Sequence, residues 1–365
     1  MVISIGIIGT GNIFPAYLKT LAASKRVRIV GLADAKPAAA KARAAEFGLQ
    51  ALTIKQLLAS DAQIVLSLTP PAVHFEVGTQ VLAAGKHLFT EKPLAATFAQ
   101  GQALVKQARA AGLRIGCAPD TVLGAGCQTV RALVDGGAVG RIVGGSAHFM
   151  GHGPDHWHPN PAFFYQPGAG SMMDMGPYYI SHLVNHLGPV AELQARARTT
   201  WAVRTIPRGA NQGKKIKVDT PTTVVTQLRF ASGAEVSLTT SFDVWKHGHT
   251  PIELYGENGT ILSHDPNHFG GTVRFSEQDG DWQTAKPGRR PYTANSRGIG
   301  LLDMATAIAE KRPHRCNEAF ALHVLEVMDK SLASGASGKA IKLTTTCERP
   351  AALTGKVDAR AKRPD

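Results

Sequence analysis

The sequence predicts an α/β protein with a doubly wound parallel sheet at its N-terminus and a second α+β domain with a mostly antiparallel sheet. With 365 residues, 44% of them hydrophobic, the chain is long enough to bury a full core. Short β-rich runs alternate with Ala-rich helical runs up to about residue 120, and strand-like runs between Gly-rich turns follow. We therefore expect domains at 1–120 and 121–350, with a loosely held basic tail over 351–365.

The expected strands of the first domain are short and rich in β-branched residues. They are Ile3–Ile8, Val27–Ala33, 64–68, His87–Thr90 and 113–117, and helices such as 38–47 and 98–111 lie between them. Strands that alternate with helices at this spacing indicate parallel pairing with helices on both faces of the sheet.

The second domain carries a different pattern, in which strand follows strand. The expected strands are 190–201, 222–230, 234–242, 252–255 and 272–275, and late helices are expected at 298–310 and 317–332. The segment after about residue 335 is expected to be loosely held, because it is rich in Thr, Lys and Arg.

Composition excludes several classes of protein. No run approaches the length of a membrane span, and the apolar start lacks a basic lead and a small-residue cleavage site, so a cytoplasmic protein without a membrane partner is expected. Four widely spaced cysteines and no C-x-x-C indicate reduced thiols rather than a disulfide framework or a zinc site.

The net charge of +13 raises the question of a nucleic-acid partner. Much of the excess lies in two basic stretches, 196–217 and the tail after Lys356. Neither stretch has interleaved aromatic residues or a nucleic-acid motif, so we expect solvated surface and no specific nucleic acid.

The first strand runs into a glycine turn that is typical of dinucleotide binding. Gly9 and Gly11 allow a tight turn against a pyrophosphate, followed by Asn12 and Ile13 at the start of a helix. Asp34 ends the second strand, where a carboxylate can accept hydrogen bonds from an adenosine ribose. We expect NAD, with NADP possible because Lys36 lies nearby, and Phe14 departs from the motif by replacing its third glycine.

Two more segments follow strand ends of the same sheet, where doubly wound folds bind ligands. Thr69 and Pro70 follow the third strand, and His74 is expected to cap or pack at the helix start beside them. Glu91 and Lys92 follow the fourth strand. We place all five among the cofactor contacts, and the Lys92 ammonium could also orient a substrate hydroxyl.

Two later segments complete the pattern: Gly170-Ser171-Met172-Met173-Asp174-Met175-Gly176-Pro177-Tyr178 and residues 296–304. Together with the motifs above, they resemble the Gfo/Idh/MocA oxidoreductases. The resemblance spans nearly the whole chain. It implies an N-terminal Rossmann domain and a C-terminal α+β domain whose open sheet forms oligomer contacts, in a dimer or tetramer. It also implies hydride transfer between NAD(P) and a sugar, polyol or related carbonyl.

The resemblance places the family's catalytic Lys on Lys92, its Asp on Asp174 and its His on Tyr178. The tyrosine is similar to the branch of glucose–fructose oxidoreductase and xylose dehydrogenases, which implies aldoses or glycosides rather than cyclitols. Ser181 stands where a second acid is common. Because Asp174 and Tyr178 are four residues apart, a helix places them on one face. We expect Tyr178 to be the general base, with its pKa lowered by Lys92.

The loop 151–159 precedes the expected catalytic helix and can reach a substrate. Trp157 could stack on a sugar face while Asp155 or His156 bonds hydroxyls, and Arg297 could position the substrate or the domains. Three histidines and an aspartate also suggest zinc, but the Pro-rich loop has no helical register, so no metal is expected.

Three functions fit these residues. The first is a sugar or glycoside dehydrogenase. The second is an NAD-dependent glycosidase that uses transient oxidation, and the third is a nucleotide-binding regulator without turnover. Intact Lys92, Asp174 and Tyr178 argue against the regulator. Net NADH production from a free sugar would separate the first function from the second.

Overall fold

The computed structural model describes residues 2–357. Its first sheet is parallel throughout, with the strand order β2-β1-β3-β4-β5. Every residue of β1, β3 and β5 is buried, as expected where helices cover both faces of a sheet. The strands are β1 (Ile3–Ile8), β2 (Val27–Ala33), β3 (Ile64–Ser67), β4 (His87–Thr90) and β5 (Ile115–Cys117).

Five helices connect and cover these strands. They are α1 (Phe14–Ala22), α2 (Pro37–Phe47), α3 (Ile54–Ala59), α4 (His74–Ala83) and α5 (Phe98–Ala110). Local signals set several of their starts: Thr53 and Gln56 form a reciprocal cap on α3, and the Thr97 hydroxyl caps α5. The loops before α1 and α4 open at the carboxyl edge of the sheet, where the candidate site lies.

The second sheet has nine strands in the order β15-β14-β13-β12-β6-β11-β10-β7-β16. All its pairs are antiparallel except β6 with β11. Two short strands, β8 (Val203–Thr205) and β9 (Lys215–Lys217), form a separate ribbon. The sheet strands are β6 (Ile142–Met150), β7 (Val190–Arg198), β10 (Thr223–Phe230), β11 (Glu235–Ser241), β12 (Ile252–Gly256), β13 (Gly259–Ser263), β14 (Arg274–Glu277), β15 (Gln283–Thr284) and β16 (Ile341–Lys342).

Helices lie on one face of this sheet. In β10, Val224, Thr226 and Leu228 are buried beneath them, while the alternate residues are exposed. The helices of this half are α6 (Ala125–Asp135), α7 (Gly170–Leu187), α8 (Ile299–Ala309) and α9 (Glu318–Ser337). The expected fold class, a parallel doubly wound sheet followed by a mostly antiparallel one, is confirmed.

The segment after residue 335 differs from the expectation of a loosely held end. Helix α9 continues to Ser337, and β16 then pairs with β7. The fully buried Glu326 carboxylate accepts hydrogen bonds from the backbone N–H and hydroxyl groups of Thr344 and Thr345, at 2.5 to 2.8 Å. A buried charge with four donors holds the segment in place.

Part of the expected tail 351–365 also packs. Leu353 and Val357 are 5% and 3% exposed, whereas residues 358–365 lie outside the described residues. No helix in the described range is long and apolar enough to cross a membrane.

Candidate functional site

The glycine turn after β1 is shaped to admit an anion. Gly9 has φ +98°, and a Cβ there would lie 2.7 Å from the Leu68 carbonyl oxygen, so only glycine fits. A Cβ on Gly11 would meet no atom within 4 Å, so the backbone there is open. Ile13 supplies no side-chain cap to α1, and Asn12 lies between Gly11 and Ile13 in the turn. The Phe14 and Ala16 N–H groups donate to the Gly11 and Ile13 carbonyl oxygens, and Pro15 between them has no N–H. A phosphate would therefore be met by the N–H groups of the turn itself, from residue 11 to residue 13.

Phe14 explains the departure from the glycine motif. Its ring is fully buried and packs edge-to-face on Phe47, with ring centroids 5.6 Å apart. A third glycine at this position would allow the helix to pack closely on the strand. Here the aromatic pair fills that space between α1 and α2. The substitution therefore changes packing behind the turn and leaves the open face of Gly11 intact.

Asp34 stands at the end of β2, as expected. One carboxylate oxygen accepts from the backbone N–H and the hydroxyl of Thr10, both at 2.9 Å, and the other accepts from the Lys36 N–H. The carboxylate thereby ties the second strand to the glycine turn while staying partly exposed. Arg43, which the sequence analysis missed, donates to the Thr10 carbonyl and adds a second cation at this end.

His74 packs at the start of α4, and its ring is 1% exposed. Nδ1 lies 2.7 Å from the Pro93 carbonyl oxygen and Nε2 lies 2.8 Å from that of Thr69. The ring joins the two loops that follow β3 and β4. The buried ring holds Thr69 and the neighbouring Pro70 in position, as the expected packing role requires, and its place among the cofactor contacts stays a prediction.

Glu91 fastens the loop after β4 to the glycine-turn helix. One oxygen accepts from the Tyr17 hydroxyl at 2.7 Å, and the other accepts from the Lys92 N–H at 3.0 Å. Tyr17 is fully buried on α1. No motif marks Tyr17 in the sequence, because its partner lies 74 residues away.

Lys92 reaches across to the second domain and pairs with Asp174. Its Nζ lies 2.7 Å from the carboxylate and 2.6 Å from the backbone oxygen of Asp174, with the two side chains only 16% and 22% exposed. Burial alone would lower the pKa of Lys92, but the Asp174 carboxylate outweighs it and the pKa is raised. Pro177 lies within α7 and removes one helical donor near this contact.

Tyr178 lies one turn further along α7 and is 7% exposed. The Lys92 Nζ is 5.1 Å from its ring centroid. Burial raises the pKa of Tyr178; Lys92 and Arg297 lower it, but the net pKa stays above the ordinary value. Lys92 therefore lowers the pKa of Tyr178, as expected, and desolvation of the phenolate has the larger effect.

Arg297 is held by two contacts that the sequence did not indicate. It donates to the Asn267 side chain at 2.9 Å. The buried Asp120 carboxylate accepts from the N–H groups of Gly298 and Gly300 at 2.7 and 3.0 Å, which fixes the turn that carries Arg297 into α8. Burial raises the pKa of Asp120 to about 6, against the effect of these N–H groups.

Two clefts meet at Asp174. The smaller, about 250 Å³, runs from Pro70 and Lys92 to the segment 163–169. The larger, about 480 Å³, is lined by aromatic and polar side chains, including His156, Trp157, Asp174, Trp245, Asp265 and Asn267. Trp245, Asp265 and Asn267 were not expected in the site, since they come from loops without a motif.

Only part of the loop 151–159 lines the larger cleft. Asp155 is 3% exposed, accepts a hydrogen bond from the Tyr165 hydroxyl and lies 3.5 Å from Arg204. These contacts give it a packing role, and its substrate contact stays a prediction. His156 and Trp157 do line the larger cleft, and Trp157 is 68% exposed. A buried ion pair thus shapes the loop that presents them.

A parallel sheet with an open glycine turn, joined to a second domain at Lys92 and Asp174, is the arrangement of a two-domain dinucleotide-binding protein. The chain belongs to the Gfo/Idh/MocA family. Residues 3–118 match its oxidoreductase, NAD-binding Rossmann-fold model, and residues 127–262 match the model of its C-terminal domain.

Several known proteins are similar to this chain. Levoglucosan dehydrogenase of Pseudarthrobacter phenanthrenivorans is 25% identical over 289 residues, which cover 71% of this chain and 73% of the relative. An uncharacterized oxidoreductase of Schizosaccharomyces pombe is 29% identical over 161 residues, 43% of this chain and 42% of its own length. A levoglucosan dehydrogenase structure in complex with NADH and L-sorbose superposes with a TM-score of 0.81 at 22% identity, covering 94% of this chain and 100% of that one.

Proposed function

We propose that the protein transfers hydride between NAD and a sugar or glycoside, at a carbon that changes between carbinol and carbonyl. The observation that carries the proposal is the assembly of Lys92, Asp174 and Tyr178 where the loop after β4 meets α7. These groups come from separate domains and meet beside two open clefts.

The residues of the first domain fit the cofactor. The open backbone at Gly11 and the N–H groups of the turn suit the pyrophosphate, and Asp34 suits the adenosine ribose. Thr69, Pro70 and Lys92 would flank the nicotinamide end, with Glu91 holding their loop. When bound, NAD supplies or accepts the hydride.

Lys92 and Asp174 would orient the substrate. The ammonium is fixed by two oxygens of Asp174 and retains a third donor for a substrate oxygen. Tyr178 would move the proton: its phenol donates to the oxygen of a carbonyl that is reduced, and its phenolate accepts the hydroxyl proton in the reverse direction. Asp174 is the alternative base, since its carboxylate lines both clefts.

The larger cleft suits a carbohydrate. Trp157 and Trp245 offer exposed indole faces, and His156, Asp265 and Asn267 offer hydrogen-bonding groups. Among the relatives, one is named levoglucosan dehydrogenase and another D-xylose dehydrogenase. With Tyr178 where the inositol dehydrogenase branch carries histidine, aldoses and glycosides are favoured over cyclitols.

A panel of aldoses, polyols and glycosides, assayed for NADH with NAD or NADP, tests this function. Net NADH formation from a free sugar or an intact glycoside supports the dehydrogenase. Release of the aglycone without net reduction of NAD would favour the glycosidase that uses transient oxidation. Binding of NAD without turnover of any member would favour a regulator and contradict the proposal.

The remaining interpretations concern partners and location. We propose a homo-oligomer formed through the open face of the second sheet, where Val225 and Tyr255 are 39% and 38% exposed.

No specific nucleic acid is proposed as a partner. Within the basic stretch 196–217, the Arg204 guanidinium forms a buried ion pair with Asp243. Four buried free cysteines support a reducing, cytoplasmic location.

A further inference from the structure

We propose that Cys127, His182 and His186 form a buried site for a zinc-like d10 metal ion, Zn²⁺ or Cu⁺, between α6 and α7. Their three candidate ligand atoms all lie within 4.8 Å of one another. Cys127 projects from α6, and the two histidines are one turn apart on α7. No local motif marks this group in the sequence, because Cys127 and the histidines are more than fifty residues apart.

The spacing suits a zinc-like ion. The Cys127 Sγ lies 3.8 Å from the His186 Nε2. Bond lengths of about 2.3 Å to sulfur and 2.1 Å to nitrogen at a tetrahedral angle separate two ligands by roughly 3.6 Å. Histidines at i and i+4 share one face of a helix. A thiolate with two imidazoles favours Zn²⁺ or Cu⁺ over oxygen-seeking Mg²⁺ or Ca²⁺.

The histidines have free nitrogens in a place where polar atoms are normally bonded. His182 and His186 are 0% and 1% exposed. Within the described residues, neither ring nitrogen of His182 has a hydrogen-bond partner, and neither has Nδ1 of His186. Most buried polar atoms do have a partner, so such nitrogens call for an explanation. A bound cation would engage one nitrogen of each ring.

The surroundings could support such an ion. The Asn185 amide donates to the Cys127 sulfur at 3.4 Å, a contact of the kind that orients a thiolate ligand. His264 closes one side, its ring centroid 5.6 Å from that of His182, but its Nε2 faces the His268 carbonyl oxygen, so three ligands are assigned. Two cations, Arg131 and Arg349, act on His186, and both are paired with Asp135, at 2.6 and 2.5 Å.

The site would brace the catalytic helix. Asp174, Tyr178, His182 and His186 follow each other at intervals of four residues along α7. A metal held by the last two and by Cys127 would fasten α7 to α6 about two to three helical turns beyond Asp174. Binding replaces the thiol proton of Cys127 with a metal–sulfur bond and releases that proton to solvent.

The test begins with the metal content of the purified full-length protein, measured by mass spectrometry. After removal of metal with a chelator, the protein is titrated with Zn²⁺ against a chromophoric competitor and, in a separate arm under reducing conditions, with Cu⁺. We expect one ion per chain, a higher unfolding temperature with the ion bound, and a thiolate charge-transfer band with Co²⁺. Binding of either ion supports the site, and the ion that binds with the higher affinity identifies the metal.

Variants assign the ligands. Cys127→Ser and His186→Asn should each weaken binding at least about tenfold. Cys347→Ser removes another buried thiol and should bind like the unmodified protein. Failure of the unmodified protein to take up Zn²⁺ or Cu⁺, or equal affinity in Cys127→Ser, would overturn the proposal. If the variants do not fold, absence of the Co²⁺ thiolate band in the unmodified protein decides against it.

Discussion

At the residue scale, Tyr178 is the group on which the chemistry depends. Tyr178→Phe should lower kcat by roughly two to four orders of magnitude and leave NAD affinity unchanged, because only the proton-transferring hydroxyl is removed. Steady-state kinetics and calorimetry measure the two effects. Tyr179→Phe is the matched control, since Tyr179 is also buried and is packed on Phe149. Near-normal turnover in a folded Tyr178→Phe protein would move the role to Asp174.

The pKa of Tyr178 predicts the pH profile. A raised pKa means that the phenolate is scarce at neutral pH, so the rate of oxidation should rise with pH up to and beyond pH 10. Lys92 lowers this pKa, so Lys92→Met should move the rise to higher pH as well as reduce the rate. The measurement is kcat/KM against pH for both proteins. A rise centred near pH 7 in the unmodified protein would exclude this phenol as the base.

Asp34 governs the choice between NAD and NADP. We predict tighter binding of NAD, and a smaller preference in Asp34→Ala, because the variant loses ribose hydrogen bonds and the charge that repels a 2′-phosphate. The loss for NAD should be on the order of 1 to 3 kcal/mol by calorimetry. Asp61→Ala, which removes an exposed carboxylate paired with Arg28, should change neither affinity. Tighter binding of NADP than of NAD by the unmodified protein would instead assign recognition of the adenosine end of the cofactor to Lys36 and Arg43.

At the element scale, the last described segment depends on a chain of hydrogen bonds from α9. The Val190 N–H donates to the His323 Nε2 at 2.9 Å, and His323 Nδ1 lies 2.9 Å from the Thr345 hydroxyl. That hydroxyl donates to Glu326. His323 Nε2 can accept the hydrogen bond from the Val190 N–H only while it carries no proton, which requires a neutral imidazole. Burial lowers the pKa of His323 to about 4, although Glu326 raises it.

This histidine predicts a loss of stability in acid. An unfolded histidine titrates at about 6.5, so between about pH 6.5 and 4 the unfolded state binds more protons and stability falls as pH falls. At pH 5 the loss from His323 should be about 2 kcal/mol. Urea unfolding at pH 7 and pH 5 should show a smaller decline in His323→Gln than in the unmodified protein. His268→Gln, at an exposed histidine, should decline as the unmodified protein does.

The elements of the first domain were largely predictable from the sequence, whereas the long-range contacts that hold elements together were not. Buried parallel strands are recognised in a sequence as apolar runs, and the turn of Gly9 and Gly11 has a local sequence motif. The bonds from Tyr17 to Glu91 and from Asp120 to Gly298 join parts of the chain that are 74 and 178 residues apart, and no periodicity reports such pairs.

At the scale of the whole molecule, the nine-stranded sheet has one face that no helix within residues 2–357 covers. Val225 lies on that face, between the buried Val224 and Thr226. Val225→Lys should shift the oligomer toward monomer, because a charge would be desolvated in the contact. Light scattering measures the mass. Val203→Lys, on the separate ribbon, places the same change at a 49% exposed valine and should leave the mass unaltered. An unmodified protein that is monomeric would contradict the interface.

By itself, the sequence determined the succession of strands and helices, the glycine turn with Asp34, and the motifs that carry Lys92, Asp174 and Tyr178. These are local patterns, and short-range sterics, hydrogen bonding and hydrophobic periodicity suffice to specify them. Only the tertiary structure decided that Asp155 and His74 are buried, and that burial raises the pKa of Tyr178 more than Lys92 lowers it. Desolvation and long-range contacts depend on what packs around a group, and that is absent from any local pattern.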